Sequence, residues 1–497
     1  MLNSVERARS STRTELHPCA PRVWHALPAP NAMRLALACL AIASGHAFRA
    51  PTSTLRPTRS WAAPKRPTTA LAVAADAGAS ERQLGVRVGG ALALCGLDEV
   101  CRVAFRGTGL PHSLAGGAAL VAALVAARGA GERAHAAVLA PGAALVLAWM
   151  PVFFAPSLVA LPLAAPVVSS AADAARLAAV VVGGLALSLA STAWIAGRFD
   201  GAPPAPQKAV AAGRPGVAFG TPLRAPLWVL AAAGAAGAVA TELRAPLPLR
   251  ACFVGATLAS FVSGTRLTKA LAASDAKALK VAAKVLHPVA VCAVTTSAVA
   301  RLVARLAGAD AAGALKAYVA LCGAPLQRLL GPSVLALAVG VYGRRRDVAA
   351  NWKAVAATTA AGVGVGLYGT ALLARAAGLP PAARLALLPR CITSPLAIAV
   401  CTSLGEDHAA AVALVVVTGV LGAAGGPSAL TALGATKPLP RGLAMGAAAH
   451  GIGTAQMGGE PEAQPFAAIA MSLVGAASVV AASLPPTRAA LRAVAGV

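Results

Sequence analysis

The sequence predicts an all-α multispan membrane protein of about 12 transmembrane helices, with broken helices in its C-terminal block. Three observations predict it. The 497 residues are 58% hydrophobic and 12% charged, where soluble domains carry about a quarter charged residues. Apolar runs of about 18 residues or more recur down the chain, each long enough to cross a bilayer as a helix. Finally, two apolar stretches, LPRCITSPLAIAV (388–400) and RGLAMGAAAHGIGTAQMGG (441–459), carry an arginine or a histidine, hydroxyls, and Pro or Gly that weaken a continuous helix. Backbone broken at membrane depth is tolerated only where protein or a cavity receives its freed polar groups.

The net charge of +26 does not indicate nucleic-acid binding, because the basic residues sit in short loops between spans and form no basic domain. That distribution follows the positive-inside pattern. Ala and Gly outnumber Leu and Phe, so helices can pack closely through small faces. The nine cysteines form no C-x-x-C pair. Those in apolar spans (Cys252, Cys292, Cys322, Cys401) read as buried thiols, with no metal site, disulfide framework or cofactor motif.

From Met33, MRLALACLAIASGHAFRAP has a short basic start at Arg34, an apolar core over Leu35–Ala43, and a small-x-small pattern at Gly45 and Ala47. This is a signal peptide, too short to span. Residues 48–75 are rich in Arg, Lys, Ser, Thr and Pro and contain no acid, which is transit-peptide composition. The tandem (signal about 33–47, transit about 48–75, the whole presequence 1–75) resembles the bipartite plastid presequence of algae with complex plastids. The mature chain is expected to begin near residues 70–80.

Four spans are expected in a first block, 84–198: about 84–106, 112–127, 135–165 and 175–198. Asp98, Glu99 and Arg102 lie in the first at spacings that allow local pairing on a helix. Pro141, Pro151, Pro156 and Pro162 predict kinks or a break in the third. Residues 199–224 (FDGAPPAPQKAVAAGRPGVAFGTPLR) read as a linker. The second block, 225–486, holds further segments at about 225–241, 251–272, 284–307, 318–342, 352–377, 382–404, 409–433, 441–458 and 464–485. Basic clusters at Arg266–Lys284 and Arg344–Lys353 fall on the linker's side, which the positive-inside rule assigns to the plastid interior; the loop at Glu406-Asp407 on that side is acidic. LLGPSVLALA (329–338) and AGGPSALTAL (424–433) share a Gly-Pro-Ser core, as paired broken helices of an inverted repeat would.

In the first block, GLPHSLAGGAALVAALV (109–125) and WMPVFFAPSLVAL (149–161) resemble the holin-like LrgA family. LLGPSVLALAVGVYGRRR, LPRCITSPLAIAV, VVVTGVLGAAGGPSAL, RGLAMGAAAHGIGTA and GEPEAQPFAAIAMSLVG resemble the LrgB family in order and spacing. LPRCIT and EPEAxPFxAIA look like its plant and algal branch. The resemblance spans about 84–486. It implies a carrier of the inner chloroplast envelope that exchanges glycolate for D-glycerate in photorespiration. From the bacterial relatives it also implies an alternative, a holin-like or regulatory protein controlling envelope permeability and cell death. Many bacterial relatives carry an acid shortly after the Thr-Pro turn; here Ile398-Ala399-Val400 stands instead, which weakens the case for cation coupling through that carboxylate.

A 2-hydroxy carboxylate needs one positive partner, several hydroxyl or amide donors, and shielding from lipid. Arg390, following Pro389, offers a bidentate clamp; snorkelling or a carbonyl partner is the structural alternative. Thr393 and Ser394 follow, and Pro395 withdraws a backbone donor. Half-helix N-termini near Gly331-Pro332-Ser333 and Gly426-Pro427-Ser428 would add N–H groups and a positive dipole end; either serine could equally back-bond within its helix. His450, flanked by Gly451 and Gly453 and one turn before Thr454, could donate to substrate or carry a coupled proton, or rest as a core histidine on a carbonyl. Glu460 and Glu462 read as a solvated turn, and His287 as structural. The Gly-rich 362–369 run lacks the Lys-Ser/Thr of a phosphate loop and reads as helix packing.

Paired carboxylates, H-E-x-x-H and Ser/His dyads at helical spacing are absent from the sequence, so an enzyme is not expected. The expected partners are glycolate, D-glycerate and membrane lipid, with no nucleic acid. Scaffolding, dimerisation into a homo-oligomer and gating are all open to the first block.

Overall fold

The computed structural model describes residues 69–164, 167–199, 201–204, 221–276, 278–279, 282–283 and 286–497, with the backbone alone over 69–82 and 221–223. All belong to the unit Pro51–Val497. The expected presequence lies outside the described residues except for its last few, where a helix has begun at Thr69. Of the expected linker only 199, 201–204 and 221–224 are described.

Among the described residues the regular elements are all helical, and the chain is an all-α multispan membrane protein. Eight helices among the described residues are long and apolar enough to cross a bilayer. Three more apolar helices, His112–Ala126, Arg224–Ala240 and Ser394–Leu404, are shorter than a crossing requires. The difference from about twelve comes from such short or split segments, since a broken crossing is built of pieces.

In chain order the principal helices are α1 (Thr69–Ala104), α2 (His112–Ala126), α3 (Ala140–Val159), α4 (Ala171–Ala196), α5 (Thr221–Ala240), α6 (Pro246–Ala273), α7 (Pro288–Leu306), α8 (Ala311–Tyr318), α9 (Leu330–Gly343), α10 (Trp352–Val363), α11 (Thr370–Ala376), α12 (Pro381–Leu387), α13 (Ser394–Leu404), α14 (Ala409–Ala432), α15 (Pro438–Gln456), α16 (Gln464–Ser483) and α17 (Pro485–Ala495). Local chemistry fixes several starts. Ser170 Oγ accepts from Asp173 N at 3.0 Å to cap α4, and His287 Nδ1 accepts from Val289 N at 3.3 Å ahead of Pro288. Asp310 accepts from Gly313 N at 2.8 Å at the start of α8. That bond holds the Asp310 carboxyl below its ordinary range.

α3 runs through Pro151 and Pro156 without interruption. Its irregular turns lie outside it, a π turn at His135–Leu139 and a 3-10 turn at Leu161–Leu163. Helices from before and after the expected linker interlock. α4 packs against α10, α14 and α15, while α9 packs against α1, α2 and α3. Gly442 and Gly446 let α15 lie directly on α16, since a Cβ at either would overlap the Ala463 or Ala467 carbonyl. Outward-facing Trp194, Val294 and Leu372 are more than half exposed, as a lipid-facing surface requires.

α17 has no counterpart among the expected segments. Its Arg488 and Arg492 donate to the Ser403 and Leu404 carbonyls at 3.2 and 2.8 Å. Cations thereby complement the C-terminal end of α13.

Candidate functional site

α12 ends at Leu387, and Leu388–Cys391 follow as one 3-10 turn. Ile392 and Thr393 are extended, and α13 starts at Ser394 with Pro395 in its first turn. Pro389 and Pro395 cannot donate to a preceding turn, so neither helix propagates through the other. Every residue from Leu388 to Leu396 is buried, which is the condition for broken backbone at this depth.

The turn carries Arg390 into the interior with no exposure at all. Its Nε donates to Thr370 Oγ1 at 3.2 Å and its Nη2 to Ser188 Oγ at 3.4 Å. Nη1 is buried without a hydrogen-bond partner. Among the described residues no carboxylate forms an ion pair with Arg390. Desolvating a guanidinium costs several kcal/mol, which two neutral hydroxyls offset only in part. The guanidinium is thus aimed by two hydroxyls and keeps one nitrogen without a hydrogen-bond partner among the described residues. Gly184 makes the approach possible: a Cβ there would overlap the guanidinium.

Beside it, Thr393 is the N-terminal flanking residue of α13, makes no side-chain cap, and leaves its buried Oγ1 unpartnered. The first N–H groups of a helix have no intrahelical acceptor. Ser394 and Leu396 supply such groups, while Pro395 has none. Thr393 also lies against the second irregular segment, since a Cβ on Gly451 would sit 4.0 Å from its Cγ2.

α15 is broken at His450, whose φ of 42° and ψ of −141° are not helical. Positive φ is rare for a residue bearing a Cβ, and it persists where packing over-determines it. The imidazole is buried and presses on Gly419, and its Nε2 donates to Val415 O at 2.8 Å. A carbonyl only accepts, so this bond places a proton on Nε2 and leaves Nδ1 as the acceptor of the neutral ring. One turn from Val415, Thr418 Oγ1 is buried with no partner. Of the three roles open to His450, the carbonyl-bound one is what this nitrogen adopts. A third irregularity, the π turn Gly364–Gly369, precedes Thr370 and packs on the Arg390 turn. The Gly-rich run expected to serve plain helix packing is thus partly a π turn.

The other expected residues fall elsewhere. Gly331 and Pro332 lie in the first turn of α9, and Ser333 Oγ donates to Leu329 O at 2.9 Å within its own helix. Thr454 Oγ1 donates to Ala467 O at 3.4 Å, tying α15 to α16. Gly453 follows the break and is buried. The expected half-helix start at Gly426-Pro427-Ser428 is corrected: α14 is continuous through all three, and Ser428 is exposed. Ser428 lies 13 residues past Val415, roughly 20 Å along the axis at 1.5 Å per residue. The carbonyl of Pro427 accepts from Thr431 Oγ1 and Arg441 Nη2 at 3.0 and 3.4 Å. The two Gly-Pro-Ser segments are accordingly not equivalent in structure. Glu460, expected in a solvated turn, forms a two-pronged bridge with Arg441 at 2.5 and 2.6 Å.

Sequence reading missed Ser188 and Thr370, the hydroxyls that hold Arg390, and Gly184. A signal was present in α4: Gly184, Ser188 and Thr192 recur every fourth residue and share one face.

A cavity of about 500 Å³ opens at the start of α13, lined by Pro395, Leu396, Gly331, Val334, Gln327 and His112 among others.

Residues 248–486 match the LrgB-like family. Over 380 residues the chain is 29% identical to the plastidal glycolate/glycerate translocator 1, chloroplastic, of Arabidopsis thaliana, covering 72% of this chain and 69% of that relative. An uncharacterized protein of Haemophilus influenzae is 33% identical over 160 residues, 32% of this chain and 69% of the relative. Another from Bacillus subtilis is 30% identical over 131 residues, 26% of this chain and 57% of the relative. No solved structure matches the chain. By the family match and the Haemophilus relative together, this chain belongs to the LrgB-like family.

Proposed function

We propose that the protein is a secondary transporter that exchanges small 2-hydroxy carboxylates, glycolate outward and D-glycerate inward, across the inner plastid envelope in photorespiration. Membership of the LrgB-like family and the name of the Arabidopsis relative support a membrane transporter, and that relative's chloroplast assignment supports a multi-pass plastid protein. The observation that carries the reading is Arg390, a guanidinium wholly buried, held by two hydroxyls and left with a free Nη1.

A monocarboxylate would take Nη1–H of Arg390, and the free N–H groups opening α13 would take its second oxygen. Thr393 Oγ1, buried and without a partner among the described residues, is the group proposed for the 2-hydroxyl. His450 closes the site behind Gly451, and the two broken segments are the elements able to change conformation between outward and inward states. A nonspecific pore would need polar residues along whole helices; here Arg390 and Thr393, whose Nη1 and Oγ1 lack partners among the described residues, stand at a break.

Purified protein in liposomes loaded with D-glycerate is expected to take up labelled glycolate saturably, and faster than in liposomes without internal carboxylate. Leakage of unrelated solutes with no saturation would instead favour the holin-like reading.

A further inference from the structure

A second titratable group stands outside the Arg390 site, on helices preceding the family-matched stretch. Asp98 of α1 is 2% exposed. Its Oδ2 lies 3.5 Å from Arg102 Nη2 and its Oδ1 3.5 Å from His112 Nε2. Neither Oδ1 nor His112 Nε2 has a hydrogen-bond partner, though both are buried. A carboxylate so enclosed is costly unless its charge is matched or removed. The elements packed on α1 are α2, α3, α9 and the π turn before α3. They bring His112, His135 and Tyr342 as titratable groups, and α1 itself brings Cys95, Glu99, Cys101 and Arg102. Of these, Arg102 and His112 come within ion-pair distance of Asp98.

The pair is in touch with the cavity. His112 is about a third exposed and lines it, together with Ser113 and Gln327. Asp98 lies against Gly331 in the first turn of α9, where a Cβ would overlap both carboxylate oxygens. Gly331 and Val334 form one wall of that cavity, and Pro395 and Leu396, the first turn of α13, form another. A carboxylate at the positive end of α9 interacts with it more strongly charged than neutral. Its protonation state therefore acts on the helix that faces the start of α13, directly after the Arg390 turn.

We propose that Asp98 and His112 form the proton-binding site of the transporter, coupling one proton to the carboxylate held at Arg390; this rests on the transport reading above. A proton entering through the cavity binds His112 Nε2 and passes to Asp98 Oδ1, leaving a neutral ring and a neutral acid, and release reverses these steps. Among the described residues no third His, Cys, Asp or Glu joins the pair to hold a metal ion, so the ligand proposed is a proton. At His450, Nε2–H is engaged by Val415 O, and Nδ1 is the one nitrogen left to accept.

The test uses the full chain in liposomes and two measurements with labelled glycolate: uptake driven by an acid-outside pH gradient, and counterflow exchange at equal pH. Their ratio is expected to fall at least about tenfold in Asp98→Asn, which mimics the neutral acid, and in His112→Gln, a half-buried position where the fold is least at risk. A ratio equal to that of the unaltered protein in His112→Gln, whether the two rates are kept or lost together, assigns the pair a structural role and overturns the proposal. So does counterflow without any gradient-driven uptake in the unaltered protein. Absence of counterflow in the unaltered protein would instead remove the transport reading itself.

Discussion

Arg390 and Ser188 are 202 positions apart in sequence, yet the guanidinium reaches the serine hydroxyl at 3.4 Å. The contact exists because Gly184, one turn before Ser188, has no Cβ to obstruct it. It joins α4, from before the expected linker, to the broken segment on which transport is proposed to depend. The buried cation is aimed from two sides and leaves one nitrogen unclaimed, so its orientation is set before any anion arrives.

Arg390→Lys should reduce exchange nearly as far as Arg390→Ala. Lysine keeps the charge but cannot bond Thr370 and Ser188 while presenting a planar fork. Hydrogen bonds to a charged group contribute about 1.5–3 kcal/mol each, so losing two predicts a fall in kcat/KM of more than about 100-fold. Membrane insertion should persist, and initial-rate exchange in liposomes measures the effect. Near-normal exchange by the lysine variant would remove the clamp from Arg390.

The breaks were readable in the sequence wherever a polar residue stood beside the residue that breaks the helix. Pro389 and Arg390, and His450 with Gly451, each combine a weak helix position with a group that lipid does not accept. Gly426-Pro427-Ser428 looked alike and misled: α14 continues through Pro427 as α3 continues through Pro151 and Pro156, so a proline in an apolar run does not by itself mark a break. The partners of Arg390 were not readable as such. Ser188 and Thr370 are ordinary hydroxyls in apolar helices, and only the packing of α4 and α11 around the turn gives them a task. The amphipathic α17 escaped because it crosses nothing and braces the end of α13.

The backbone of His450 makes a stability prediction that does not depend on transport. At φ 42° glycine is at ease and a β-branched residue is not. His450→Val should therefore lower the Tm of the detergent-solubilised protein more than His450→Gly, by roughly the 1–3 kcal/mol that a strained residue costs. His450→Gln tests the proton role separately. With the proton carried by Asp98 and His112 as proposed, the pH profile of exchange should keep its shape, and a lost acid limb would return proton carriage to His450.

Glu460 lies outside the spans, and the hydrogen bonds from Arg441 hold its carboxyl below the ordinary range. A depressed folded value means that the bridge contributes fully above the unfolded carboxylate's pKa, and the contribution is lost as pH falls through the folded one. Tm measured from about pH 6 down to about pH 3 should drop more steeply for the unaltered protein than for Glu460→Gln. Parallel curves for the two proteins would show that the bridge does not tie α15 to the turn after it.

Adjacent glycines in α4 provide the sharpest test of how the Arg390 site is built. A Cβ at Gly183 meets nothing within 4 Å, whereas one at Gly184 would overlap Nη2 and Cζ of Arg390. Each alanine gains helix propensity of about 1 kcal/mol over glycine, so neither should weaken α4 by itself. Gly183→Ala should transport normally and be slightly more stable. Gly184→Ala should displace the guanidinium and break its bonds to Ser188 and Thr370. The expected result is a KM for glycolate raised by at least about tenfold, the equivalent of one charge-assisted hydrogen bond. Gly184 is not placed to touch substrate, so this loss can reach transport only through Arg390. Equal KM values in the two variants would mean that α4 does not aim the guanidinium, and the anion would then have to be held by the opening turn of α13 alone.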